Sequence, residues 1–472
     1  MLRHIKIALM LVLAGTFMGC ESLVDDINDN PNEITADDVE ARLFLTGAQL
    51  ANAQVQVGHL NRIAGMYSGQ LFGFTSLYSN IYGYSLSGAE SNGVWSHIYV
   101  GTVTNTRVVR DKAPDDALLT GIAKTLEAHA VGTGATIFGD IPYTEINNPE
   151  IEDPNFDGQI SVINAMIDLL TDAISDLEQA ESRGISEDIY FGGDAQKWLE
   201  AAYTLQARYY LQLRDYGSAY TAAQSGISSG GGNMLFIPRG PATNSEGDKN
   251  LFWQILAGSR TGDLGTGNSY LMQLLDPSSD VYRGNAKTDE TARLAYYTID
   301  ETSAVGNQGV IEQYEPQPMV TFEETQLILA EAGARTQGLE TGLGHLNDLR
   351  AYLNSGGRLN SNFIGLDYTY EPYVAADFAA GGMENTDNID PVRALLREVI
   401  EERFVSGFGM YIPFNDARRL RKGDEDLIVP FPLNTQTAPG HPERLPYSAN
   451  EVNTNQNAPE DPGIFAETEV NQ

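Results

Sequence analysis

The sequence predicts a mainly α-helical protein with paired helices and long irregular loops. Three observations carry this: apolar residues recur at steps of three and four, alternating strand patterns are scarce, and helix–turn–helix segments alternate with glycine- and asparagine-rich stretches. Ile160, Ile163, Ile167, Leu170, Ile174 and Leu177 form one apolar stripe. Trp198, Ala202, Leu205, Tyr209 and Leu213 form another, and Val392, Leu396, Val399 and Phe404 a third, broken by the charged Arg403.

Two segments read as helical hairpins. Trp198–Leu213 turns at Arg214–Gly217 and continues over Ser218–Ile227; Glu323–Gln337 turns at Gly338 and continues over Thr341–Leu353. Small residues at Ala207, Ala330 and Ala334 allow close helix approach, so the hairpins are TPR-like, with about four such units expected. The long loops, about 66–95, 229–267 and 276–318, are the expected working surface.

The N-terminus reads as a secretory signal. Arg3 and Lys6 precede the apolar run Ile7–Met18, which is followed by Gly19 and Cys20, the one cysteine of the 472 residues. A lone thiol at that position resembles the bacterial lipobox, with Phe17 and Met18 as departures from its usual residues. The organisation expected is a signal peptide over 1–19, a lipidated acidic tether over 20–40 and one domain over 41–472. Two or three acyl chains on Cys20 would make a firm anchor in outer-membrane lipid. Lys+Arg 29 against Asp+Glu 64 gives a net charge of −35, which argues against nucleic acid or an anionic membrane surface as partner.

Catalytic and metal patterns lack their structural settings. Gly226-Ile227-Ser228-Ser229-Gly230 matches G-x-S-x-G, but a helix precedes it and Gly231-Gly232 follow, so it reads as a helix exit. Asp153–Gly158 copies half of an EF-hand loop, but Asn164 stands where a bidentate acid belongs; it reads as a turn and the N-cap region of the Ile160 helix. No histidine pair shares a helix face. No cofactor, metal or catalytic residue is expected.

The aromatic loop is the sharper signal. Tyr67, Phe72, Phe74, Tyr78, Tyr82 and Tyr84 are interleaved with Ser, Gly and Asn80, and Trp95 follows. Such rings stack on the apolar faces of sugars, while the alternative is that they pack the loop onto the helices.

Phe138-Gly139-Asp140-Ile141-Pro142-Tyr143, Tyr190–Trp198, Thr321–Ala332, Glu401-Glu402-Arg403, Asn415–Arg419 and Pro442–Tyr447 occur in the order of landmarks in SusD/RagB-type nutrient-binding lipoproteins, which the chain resembles. Glu451 and Asn453 match a starch-binding-associated branch; Phe191 and the Asp276–Pro318 region depart from the pattern. The physical reading of these landmarks is structural: Asp140 and Asp194 as caps, Glu331, Arg403, Arg418 and Arg419 as ion-pair partners inside the scaffold. The resemblance implies a SusD-like fold and a non-enzymatic lid on a SusC-like TonB-dependent transporter, binding glycans, with peptides as alternative cargo. It also implies ligand contacts from the aromatic loop and mid-chain: Tyr78, Asn80, Tyr82, Tyr84, Trp95, Trp253, Arg260 and Tyr270. A lipid-anchored glycoside hydrolase and a TPR adaptor for other proteins are the rival readings.

Overall fold

Side-chain caps decide where the helices begin. The computed structural model describes residues 39–146, 148, 150–240 and 248–472, so Cys20, the signal segment and most of the tether lie outside the described residues. Its helices of eight residues or more are α1 (Ala41–Val57), α2 (His59–Tyr67), α3 (Thr104–Lys112), α4 (Ala117–Phe138), α5 (Gln159–Gln179), α6 (Ala195–Gln212), α7 (Tyr216–Ala223), α8 (Phe322–Gln337), α9 (Leu339–Asn354), α10 (Pro391–Ser406) and α11 (Ile412–Arg419). Asp116, Asp194, Thr321 and Asp390 each accept a backbone N–H in the first turn of α4, α6, α8 and α10, and Pro391 opens α10 where its missing N–H costs nothing.

The start of α5 differs from the expectation. Its cap position is Gly158, which has no side chain to offer. Asp140 Oδ1 instead accepts from Gln159 N at 2.9 Å, and Glu469 Oε2 from Ile160 N at 3.0 Å. Asp157 is engaged elsewhere, accepting from Tyr143 N and Thr144 N at 2.8 and 2.9 Å. The EF-hand-like stretch is therefore a clasp on the segment after α4, and the helix is capped from a distance.

The two anticipated hairpins are present as α6/α7 and α8/α9. In the second, a Cβ on Gly342 would fall 2.6 Å from the Ala334 Cβ, so only glycine permits this approach. α7 ends at Ala223, short of Ile227, because the chain turns inward: Ile227 N donates to Thr204 Oγ1 at 2.9 Å. α4 and α5 form a further antiparallel pair, tied by Gln159 Nε2 to Ala135 O at 2.8 Å at one end and by Gly121 against Leu177 at the other. α10 and α11 form a shorter one.

Most of the buried apolar residues, from Leu45 to Val470, belong to one cluster. Charges cross it in pairs. Glu331 on α8 accepts from Arg419 at 2.8 and 2.5 Å and from Arg335 at 3.1 Å, and Asp416 receives Arg403 and Arg419, each at 2.8 Å. Arg418 corrects the expectation that it also forms an ion pair. Its bonds go to oxygens of Phe414, Glu443, Thr136 and Asn415, and burial lowers its pKa to about 9.

The 276–318 region is less irregular than its composition suggests. It contains the helix Thr291–Tyr297, and Arg283 pins it to α10 through Glu398 and Glu401 at 2.9 Å and Glu402 at 2.8 Å, with Glu290 also paired. The strands among the described residues make three two-stranded antiparallel pairs, one of which, Phe72–Gly73 with Leu264–Gly265, builds the site described next.

Candidate ligand-binding platform

The structure divides the anticipated contact residues into two groups. Tyr78, Tyr84, Trp95 and Trp253 are buried. The Tyr78 hydroxyl accepts from Arg62 Nε at 3.3 Å and meets His59 Nδ1 at 3.1 Å, while His59 Nε2 meets Glu90 at 2.7 Å. Tyr84 accepts Asn434 N at 2.9 Å. Trp95 donates to Glu451 at 3.2 Å and packs among Tyr99, Phe138 and Phe156. Trp253 lies on the helix Leu251–Ala257, facing inward. The polar ends of Tyr78, Tyr84 and Trp95 are thus met by the protein itself. Asn80, by contrast, is exposed, and Tyr82, Arg260 and Tyr270 are partly so.

Two stretches far apart in sequence meet at the exposed group. Phe72 pairs with Gly265 and Gly73 with Leu264, Phe74 N donates to Asp263 O at 2.8 Å, and Thr75 Oγ1 donates to Asp263 Oδ1 at 2.8 Å. The Phe72 ring lies 4.4 Å from Tyr82 and 4.9 Å from Phe74, centre to centre. All three rings are partly exposed, and Gly267 lies against them: a Cβ there would fall 2.7 Å from the Phe74 ring. Phe72 and Phe74 were legible as members of the aromatic loop but not as leading contacts. The signal for them is their i, i+2 spacing on an extended segment, which puts both rings on one face.

Hydrogen-bonding groups and one ion pair lie near these rings in the chain. Asn80, Ser79 and Asn268 are exposed near them in sequence. Arg260 meets Asp263 at 3.4 Å. Burial raises the Tyr82 pKa, so its hydroxyl stays protonated and both donates and accepts. Burial, reinforced by Arg62, lowers the pKa of His59 below its ordinary value. Tyr270 sits three residues beyond Gly267, its ring edge-on to Phe404 at 6.5 Å. Among the described residues no group of three or more His, Cys, Asp or Glu is placed to hold a metal ion. A tilted, partly exposed aromatic cluster that carries the Tyr82 hydroxyl suits a ligand with apolar faces and many hydroxyls.

Comparison with known proteins bears on this geometry. Residues 31–342 match the model of the SusD-like family described as starch-binding associating with outer membrane. The chain belongs to this family. No functionally curated relative matches this SusD-like protein by sequence. Among solved structures it is similar to a SusD/RagB family protein from Bacteroides thetaiotaomicron, with 20% identity, 89% of this chain and 95% of that chain covered, and a TM-score of 0.66. A second SusD-like protein from the same organism has 17% identity, 92% and 100% coverage and a TM-score of 0.65. A chitin-binding protein has 15% identity, 92% and 100% coverage and a TM-score of 0.63. The mainly α, SusD-like fold is thereby shown. No helix among the described residues is long and apolar enough to cross a membrane.

Proposed function

We propose that this SusD-like protein is a non-enzymatic surface lipoprotein, acylated at Cys20, that captures glycans and hands them to a TonB-dependent outer-membrane transporter. The observation carrying the proposal is the partly exposed Phe72–Phe74–Tyr82 cluster, held between two loops, with the exposed Asn80 two residues before Tyr82 on the same short helix. The family description and the chitin-binding protein of similar fold support a glycan as cargo. Of the contacts expected from the sequence, Asn80, Tyr82, Arg260 and Tyr270 remain in the proposed site. Tyr78, Tyr84, Trp95 and Trp253 are buried and serve the scaffold in this reading. The mechanism needs no bond to be made or broken: rings stack on sugar faces, the rim bonds hydroxyls, and release follows inside the complex with the transporter.

The test is a binding screen of the soluble protein, begun after Cys20, against polysaccharides and peptides by retarded migration and calorimetry. Binding of one glycan class, lost in Tyr82→Ala and Phe72→Ala, is the expected result; binding of peptides alone overturns it. Palmitate labelling that disappears in Cys20→Ser checks the anchor, and recovery of a barrel-sized protein with the full-length lipoprotein checks the transporter. Release of sugar from bound glycan would favour the hydrolase reading.

A further inference from the structure

A groove of about 550 Å³ runs between α1 and the helix Leu251–Ala257, away from the aromatic rings. That volume lies within the ~300–1,000 Å³ typical of small-ligand sites. Its apolar lining includes Leu50, Phe236 and Leu251, and Gln54 and Gln254 line it from opposite walls. Both glutamines are partly exposed, and among the described residues neither side-chain amide has a hydrogen-bond partner. Each is thus free to donate and to accept. The charges that reach the groove are already answered: Arg239 pairs with Asp248 at 3.1 Å, and burial lowers the pKa of His97, which keeps the ring neutral. With Arg239 and Asp248 cancelling, the lining carries no net charge, and the chain's net charge of −35 disfavours an anionic ligand.

Both walls lead to residues bonded to the platform. α1 ends at Val57, and after Gly58 the chain gives His59, which meets the Tyr78 hydroxyl at 3.1 Å behind the rings. The other wall ends at Ala257, and Arg260 follows, meeting the Asp263 carboxylate that also holds Thr75 of the ring-bearing segment.

We infer that the groove is a second subsite for a neutral oligosaccharide, engaged together with the aromatic platform by chains long enough to reach both. This rests on the glycan-binding reading of the platform. Two weak subsites on one ligand reinforce each other through effective concentration, so affinity rises with chain length without new chemistry.

The experiment compares disaccharides with oligomers of roughly eight units in the malto-, chito- and xylo- series, by calorimetry on the soluble protein. The double variant Gln54→Ala/Gln254→Ala is expected to lose about tenfold in affinity for the long oligomers and to leave disaccharide affinity unchanged. Leu50→Arg, at an exposed position of the groove mouth, is the independent variant and is expected to act likewise. Unchanged long-chain affinity in both variants overturns the inference while leaving the platform standing. So does an equal loss for short and long chains. Failure of the unaltered protein to bind any oligomer overturns the platform reading and the groove with it.

Discussion

In the clamp joining α8, α10 and α11, both carboxylate oxygens of Glu331 and of Asp416 meet a guanidinium. On the platform, Asn80 and Asn268 are exposed and the rings of Phe72, Phe74 and Tyr82 are only partly covered. The first region spends its polar chemistry on itself, because a charge buried without a partner costs several kcal/mol. The second leaves aromatic rings and amides open to solvent, which is the condition for binding something else. The contrast teaches that in this molecule the charged landmarks identify scaffold, whereas the proposed ligand face relies mainly on rings and amides, with Arg260 as its one cation among the residues named.

Removing one side of the clamp gives the largest expected effect. Glu331→Ala leaves Arg419 and Arg335 without their shared partner and should cost about 3–5 kcal/mol in denaturant unfolding. The same carboxylate makes stability pH-dependent. Burial alone would raise the pKa values of Glu331 and Glu402, but Arg419 and Arg335 in one case and Arg293 and Arg283 in the other outweigh it and hold both at about 2. With the folded value depressed below the ordinary 4.5, this stabilisation is complete above about pH 4.5 and is lost as the pH falls towards 2. Denaturant midpoints measured from pH 7 downwards should fall across that window, and less steeply in Glu331→Gln.

Trp253→Ala tests the boundary between the regions. A buried ring lost from the core should cost about 3–5 kcal/mol of stability, and any loss of glycan affinity should vanish once the folded fraction is accounted for by circular dichroism. Tyr82→Ala should do the reverse, with affinity down about tenfold, or ~1.4 kcal/mol, and the unfolding midpoint nearly unmoved. Asn80→Ala gives the smallest effect, a stability change within ~0.5 kcal/mol and a modest loss of affinity read by calorimetry.

How much of this was legible in the sequence depends on the range of the interaction. Helices α5, α6 and α10 follow from three- and four-residue spacing, and the Asp194 cap from its position before an apolar run, since both are local. The two hairpins were readable for the same reason. The platform was half-readable: the aromatic loop stood out, but which rings face outward did not. Tyr78 and Tyr82 lie on one short helix with similar neighbours, and what separates them is that Arg62 and His59 wait for the Tyr78 hydroxyl inside. The pairing of Phe72–Gly73 with Leu264–Gly265 spans too few residues to leave a strand pattern. Arg418 was misread because a motif rich in charge suggests ion pairs, and backbone carbonyls leave no mark on a sequence.

That arginine also has a consequence for the order in which the molecule comes together. It holds Thr136 O across 282 positions of chain and Glu443 O across 25. Wherever folding begins, the carbonyl on α4 stays without its guanidinium partner until the C-terminal segments have packed. Closure of that bond is therefore a late event, governed by long-range loop entropy rather than by helix formation, and slow folding relative to the speed of its individual helices is built into the topology.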